Sequence, residues 1–246
     1  MKLQWLVAVG AWAAVAASAQ TLPSYDIYRA PGRITIDAQL NERAWRQAPV
    51  AGDFHFNWWK SGEREQTEAR LVWDDDYLYA AYFCHDKHIS AKVTERHGPV
   101  SLDDCVELFV YPNPGRMGNG YGLEINAIGT MLGWRKSDDG KTMVRWVPEG
   151  LRYRTSFHGL PVKRDAPSDA HWILEMAVPW SSFKDDAAHT PPRDGDRWRL
   201  NLNRSGGVTN PQYSTWSPVN TPTPNFHVPE SFGWVRFVNR KPGRPR

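Results

Sequence analysis

The sequence predicts an all-β fold: an antiparallel β-sandwich of the jelly-roll kind, built as a single domain. Three observations carry this. About ten short segments alternate apolar and polar residues with period two. Turn signals rich in Gly, Pro, Asn and Asp separate them at regular intervals. Helical patterning is confined to one turn, so no crossover helices are available to build a parallel sheet. No internal repeat and no linker divides the chain, and one domain over residues 20–239 is expected.

Taken in order, Arg33–Asp37 reads as a short alternating strand. Asn41-Glu42-Arg43-Ala44-Trp45 follows as one helical turn, capped by Asn41 and tucking Trp45 inward. Phe54–Lys60 alternates aromatic and polar residues, as an edge strand does. Thr67–Trp73 and Tyr77–Cys84, joined by Asp74-Asp75-Asp76, form a hairpin. Met131–Val147 holds two polar strands around a turn at Asp138-Asp139-Gly140. Leu151–Leu160 and His171–Val178 are strands separated by the loop Lys163–Ala170. Pro179–Phe183 is a single reversing turn, and Arg197–Asn203, Tyr213–Trp216 and Trp234–Val238 complete the set.

The flanks and the composition narrow the function. Lys2, the apolar run Leu3–Ala17 and Ala17-Ser18-Ala19 make a signal peptide over residues 1–19, so a secreted or periplasmic protein is expected. No second long apolar segment follows, which excludes a helical membrane anchor. A formal charge of +3 with scattered basic residues argues against nucleic acid as a partner. Residues 240–246 are basic and proline-rich and read as a frayed tail. Cys84 and Cys105, both in strands, leave a disulfide and two buried thiols equally open. The 13 tryptophans fit either core filling or stacking platforms for sugar rings.

The most informative stretch is the hairpin Ser101–Thr130. Val106, Leu108 and Val110 alternate with Glu107, and Leu123, Ile125 and Ala127 alternate with Glu124 and Asn126. Successive side chains point to opposite faces, so a shared core places Glu107, Glu124 and Asn126 on one outer face. In Arg197–Asn203, Arg199, Asn201 and Asn203 oppose Trp198, Leu200 and Leu202; in His171–Val178, Glu175 opposes four apolar residues. A solvated sheet face gives the same alternation. Residue type weighs the other way, because Glu, Asn and Arg beside Trp make the bidentate hydrogen bonds that vicinal hydroxyls accept and donate.

Other chemistries have weaker support. A glycosidase needs two carboxylates roughly 5–9 Å apart, and Glu107 with Glu124 is the available pair. Cys84-His85-Asp86-Lys87-His88 with His97 matches no closed zinc spacing. Asp74–Asp76, Asp103-Asp104 and Asp138-Asp139 offer oxygen ligands, yet none has an EF-hand spacing and Asp is at home in turns. Met117, Met131 and Met143 are available as haem ligands, but no His is paired with them.

An ordered series of segments resembles the family 9 carbohydrate-binding modules across nearly the whole chain after residue 33. It runs through Ile34–Ala38 with Asn41–Trp45, Leu71–Tyr79, Asp103–Phe109, Leu123–Ala127, Trp172–Trp180, Gly195–Arg204 and Pro229–Gly233. The resemblance implies a saccharide-binding sandwich, commonly an accessory to a glycan-degrading enzyme and often carrying calcium. It also implies a clamp of two tryptophans; the corresponding places here hold Ser101 and Phe226. Glu107 matches a family contact residue, Asn201 matches an amide position, and Glu124 stands where a basic group is usual. The expectation is therefore an exported, non-catalytic binder of oligo- or polysaccharide. Glu107, Glu124, Asn126 and Asn201 would contact hydroxyls, and Trp216 and Phe226 would stack. A glycoside-processing enzyme using Glu107 and Glu124, and a haem-binding sandwich, are the alternatives.

Overall fold

The structure is a computed structural model that describes residues 21–136, 139–158 and 170–240; the expected signal peptide, most of the 163–170 loop and most of the basic tail lie outside them. Among the described residues there are twelve strands and one short α-helix: β1 (Ser24–Arg29), α1 (Arg43–Gln47), β2 (Thr67–Trp73), β3 (Tyr77–His85), β4 (Asp104–Tyr111), β5 (Tyr121–Asn126), β6 (Met131–Lys136), β7 (Met143–Arg145), β8 (Arg152–His158), β9 (His171–Pro179), β10 (Arg197–Gly206), β11 (Tyr213–Thr215) and β12 (Gly233–Val238). They form a single sheet in the order β7-β6-β5-β4-β10-β12-β1-β2-β3-β9-β8, with β11 also on β10. The sheet curls so that its two halves face each other. Inward residues of β4, β5 and β10, such as Val106, Leu123 and Leu202, share one core with Leu71, Tyr82 and Leu174 of β2, β3 and β9. The Tyr82 hydroxyl crosses that core to donate to the Glu107 carbonyl at 2.9 Å.

Tryptophan fills much of the interior. Trp73, Trp180 and Trp198 pack edge-to-face around Phe237 at centroid distances of 4.9–5.8 Å. Such pairs add about 0.5–1.5 kcal/mol beyond the area they bury. Most pairings are antiparallel, as expected, but β1 runs parallel to both β12 and β2. This makes the sheet mixed. Nothing in the sequence reading anticipates β1, although Tyr25 and Ile27 are buried in the core. Its partners lie far away along the chain, so it carries no hairpin signal.

Local departures have physical causes. Residues 33–37 form no ladder. Positive φ at Ala38 (61°) and Leu40 (54°) bends the chain, and Glu175 accepts the backbone N–H groups of Asp37 and Ala38 at 2.8 Å each. The same carboxylate takes the Trp45 indole N–H at 2.7 Å, so the outer face of β9 is covered by residues 34–48 rather than solvated. Glu42, not Asn41, precedes the helix, and no side chain caps it. The expected strand at 54–60 reduces to one bridge between His55 and Thr215. Cys84 and Cys105 are both free and buried. Strand alternation turns Cys84 into the core and Cys105 to the opposite face of its sheet, beside Glu107, so they are not placed to join.

Candidate functional site

Register builds the site row by row. Glu107 of β4 lies directly opposite Glu124 of β5 and, on its other side, opposite Asn203 of β10, which in turn faces Thr215 of β11. Two residues along, Ser205 faces both Cys105 and Tyr213. Because the alternate residues fill the core, this polar strip is the outer face of the β4–β5–β10 half. Above it passes the 217–229 loop, and beside it stands the turn Val100–Leu102. Together they leave a pocket of about 220 Å³ whose walls include Glu107, Glu124, Ser205, Tyr213, Phe226 and His227, with Ser101 and Leu102 opposite.

Aromatic packing supports that pocket from one end. Phe109, Tyr111, Trp134, Phe226 and Phe232 form a separate cluster outside the main core. His227 stacks on Phe109 with centroids 4.8 Å apart and planes 26° apart, and lies 5.2 Å from Trp134. Trp134 can lie flat over β5 because its cross-strand partner is Gly122: a Cβ there would stand 2.2 Å from the indole ring. From this position its N–H donates to Glu124 at 3.0 Å.

The two carboxyls are the electrostatic centre. Burial pushes Glu107 well above the usual carboxylate range, the facing Glu124 adds to this, and an amide hydrogen bond from Asn203 at 3.4 Å opposes it. Burial likewise lifts Glu124 to about 7, against the pull of the Trp134 N–H and Arg145. Two like charges side by side in a dry place do not both ionise, so the pair retains a proton near neutrality. It then offers both O–H donor and carboxylate acceptor. His227 keeps part of its ring in solvent, but its packing and nearby Lys136 hold the imidazole near 4, neutral at pH 7. Three buried polar atoms around this strip, Asn203 Oδ1, Ser205 Oγ and Thr215 Oγ1, have no protein partner. Buried polar atoms are nearly always hydrogen-bonded, so such a cluster marks a place where a ligand or solvent completes the bonding.

Of the six residues singled out from the sequence, Glu107, Glu124 and Phe226 line one pocket. The other three are placed elsewhere. Asn126 shares the outer face but is fully buried; its amide donates to Val93 and Asp103 and accepts from the Thr130 N–H. Asn201 sits where β10 exchanges β12 for β11 as neighbour, and both ends of its amide bond Ser217. Trp216 is in the main core, edge-on to Tyr25 at 6.4 Å. Ser101 and Phe226, the two clamp positions of the resemblance, do reach the same pocket. His227 and Ser205 join the pocket without being singled out from the sequence, and Asn203, read only as part of the polar face, bonds Glu107 from beside it. Alternation alone puts Asn203 on that face, whereas His227 depends on how a loop folds over.

Acidic groups offer little room for calcium. Among the described residues, Glu65, Asp86 and His88 are the group whose ligand atoms fall within 4.8 Å of one another. Glu65 already accepts from the Lys87 backbone, Asn210 and Gln212, with His88 Nδ1 2.8 Å away. Buried Arg204 donates to Asp86 at 2.8 Å and to the Glu65 and His85 carbonyls at 2.9 Å. A guanidinium fills the centre of this oxygen cage. Asp74 and Asp139 accept N–H groups of their own turns, and Asp103 holds Val93 and Asn126. These donor sets do not fit an added cation. Met131 is in the core, Met143 is exposed and Met117 packs against the Phe109–Trp134 aromatic cluster; none of the three lines the pocket.

A curled β-sandwich with a polar, aromatic-walled pocket on one outer face defines the class of small-ligand-binding β-domains. The family model for carbohydrate-binding family 9 matches residues 35–237, and the chain belongs to that family. A search of curated proteins gave no significant match. Among solved structures, a proposed carbohydrate-binding protein from Bacteroides uniformis superposes with a TM-score of 0.73 at 21% identity, covering 88% of this chain and 100% of that one. A family 9 module from Caldicellulosiruptor kristjanssonii in complex with cellotriose gives 0.57 at 15% identity, covering 88% and 95%. The module from the same organism in complex with glucose gives 0.56 at 15% identity, covering 90% and 100%.

Proposed function

We propose that this chain is an exported carbohydrate-binding protein that takes a neutral sugar unit into the Glu107–Glu124 pocket without cleaving it. The observation that carries this is a proton-sharing carboxyl pair beside the unpartnered Ser205 hydroxyl in a pocket walled by Tyr213, Phe226 and Leu102. Donors and acceptors at close spacing suit vicinal hydroxyls, and the apolar walls suit the C–H faces of a pyranose ring. The family membership and the glucose and cellotriose complexes of structural neighbours support the same reading. We place the protein outside the cytoplasm on the strength of the signal sequence, as an accessory to a separate glycan-degrading enzyme.

One observation favours a second reading. Glu124, lifted to about 7, is in the range a glycosidase acid needs. Against it, burial raises both carboxyls, whereas an acid and a base require environments that push the two apart. Calorimetric titration against plant and microbial oligosaccharides, with and without calcium and with product analysis, tests both. Binding without products, and a loss of about tenfold in affinity for Glu107→Gln, is expected. Turnover that falls by orders of magnitude in that variant would establish the enzyme instead.

A further inference from the structure

A second depression adjoins the pocket. It has a volume of about 760 Å³, more than three times that of the first, and shares Tyr213 and Pro224 with it. Its walls include Trp58, Trp59, Lys60 and Gln212. Trp59 is 37% exposed, and Tyr213 (36%) and Leu102 (61%) continue the same line of accessible apolar surface across both depressions. Large side chains so exposed, and so arranged beside polar groups, mark a contact surface.

The depression is built to keep its shape. The Arg64 guanidinium lies 4.2 Å from the Trp59 ring centroid, which fixes the indole and covers one of its faces. Trp58 donates its N–H to the Thr221 carbonyl at 2.7 Å and packs 5.8 Å from Phe226, tying the wall of the second depression to that of the first. Pro218, Pro222 and Pro224 stiffen the intervening loop. Gly62 turns the chain at φ 94°, and a Cβ there would meet Asn210 at 2.3 Å, so the floor needs glycine. Little ordering cost remains for a ligand.

Resting on the carbohydrate reading above, we propose that the Trp58–Trp59 depression is a second subsite, which takes further sugar units of the chain whose first unit occupies the Glu107–Glu124 pocket. The preferred ligand is then an extended oligosaccharide rather than a single sugar. Trp59 offers an indole face for stacking, while the amides of Asn210 and Gln212 are held by Glu63 and Glu65 and brace the wall beside it.

The test is a length series: mono-, tri- and hexasaccharides of the cello-, xylo- and manno- types, titrated calorimetrically into the wild-type protein, Trp59→Ala and Phe226→Ala. Affinity of the wild type should rise by about tenfold from mono- to hexasaccharide in the type it binds. Trp59→Ala, an exposed change that leaves the core intact, should abolish that rise and leave the monosaccharide affinity unchanged. Phe226→Ala should weaken every length. Equal affinity at all lengths, or a rise that survives Trp59→Ala, would overturn the second subsite while leaving the first pocket standing. Absence of binding for every sugar in the series would overturn both.

Discussion

Replacing Glu124 by Gln should make the protein more stable at neutral pH and leave it unchanged in acid. In the folded chain Glu124 holds its proton up to about 7, against an ordinary value of 4.5. A carboxyl raised in this way contributes stability that is complete below pH 4.5 and is lost as the pH climbs to about 7, because the unfolded chain ionises first. A rise of that size corresponds to about 3 kcal/mol of stability lost across the window. Gln carries no titrating proton, and its amide oxygen can still accept the Trp134 N–H. Urea unfolding of both proteins at pH 4.5, 6 and 7.5 measures the difference directly. The variant's advantage should grow by about 3 kcal/mol from the first to the last pH, with an unchanged denaturant slope. A difference that stays constant with pH would refute the picture of a proton held by burial.

Gly122→Ala should drive the Trp134 ring off β5, break its bond to Glu124 and cost about 1–3 kcal/mol, seen as a lower melting temperature and a red-shifted tryptophan emission. Glu175→Ala strands the N–H groups of Asp37, Ala38 and Trp45; a loss of about 3–5 kcal/mol in urea unfolding is expected, with faster proteolysis in the 34–48 segment. Arg204→Met leaves Asp86 and Asp104 buried without their guanidinium. It should cost about 3–5 kcal/mol at pH 7 and less at pH 4, by the same assay.

The β4–β5 hairpin and β10 were legible because one residue in two is apolar and each strand has a near neighbour in sequence. That alternation alone sets Glu107 and Glu124 on one face, where the register makes them cross-strand neighbours. The same alternation placed Asn126 and Asn201 on the right face, yet a face is not a pocket. Pattern cannot reveal that both amides are consumed, Asn126's by Val93, Asp103 and Thr130 at a turn and Asn201's by Ser217 at a change of strand partner. Trp216 misled for a related reason: it lies just past the end of β11, where alternation stops, and the chain turns its ring toward Tyr25. Glu175 looked like surface because the sequence does not show that a distant irregular segment will lie over it. β1 and His227 were invisible, since each owes its position to contacts far along the chain.

The pairing of β1 with β12 has a bearing on how the molecule folds. Asp26 and Arg236, joined at 2.6 Å, are 210 residues apart, and β1 is also the strand that links β12 to β2 within the sheet. The two halves cannot be stitched together until nearly the last strand has emerged and found nearly the first. Loop closure on that scale brings no local reward on the way, and topologies dominated by such contacts fold in milliseconds to seconds rather than microseconds. The hairpins that frame the pocket can form early from their own neighbours. Registration of one sheet half against the other, and with it the dry core behind Glu107, waits for the final strand.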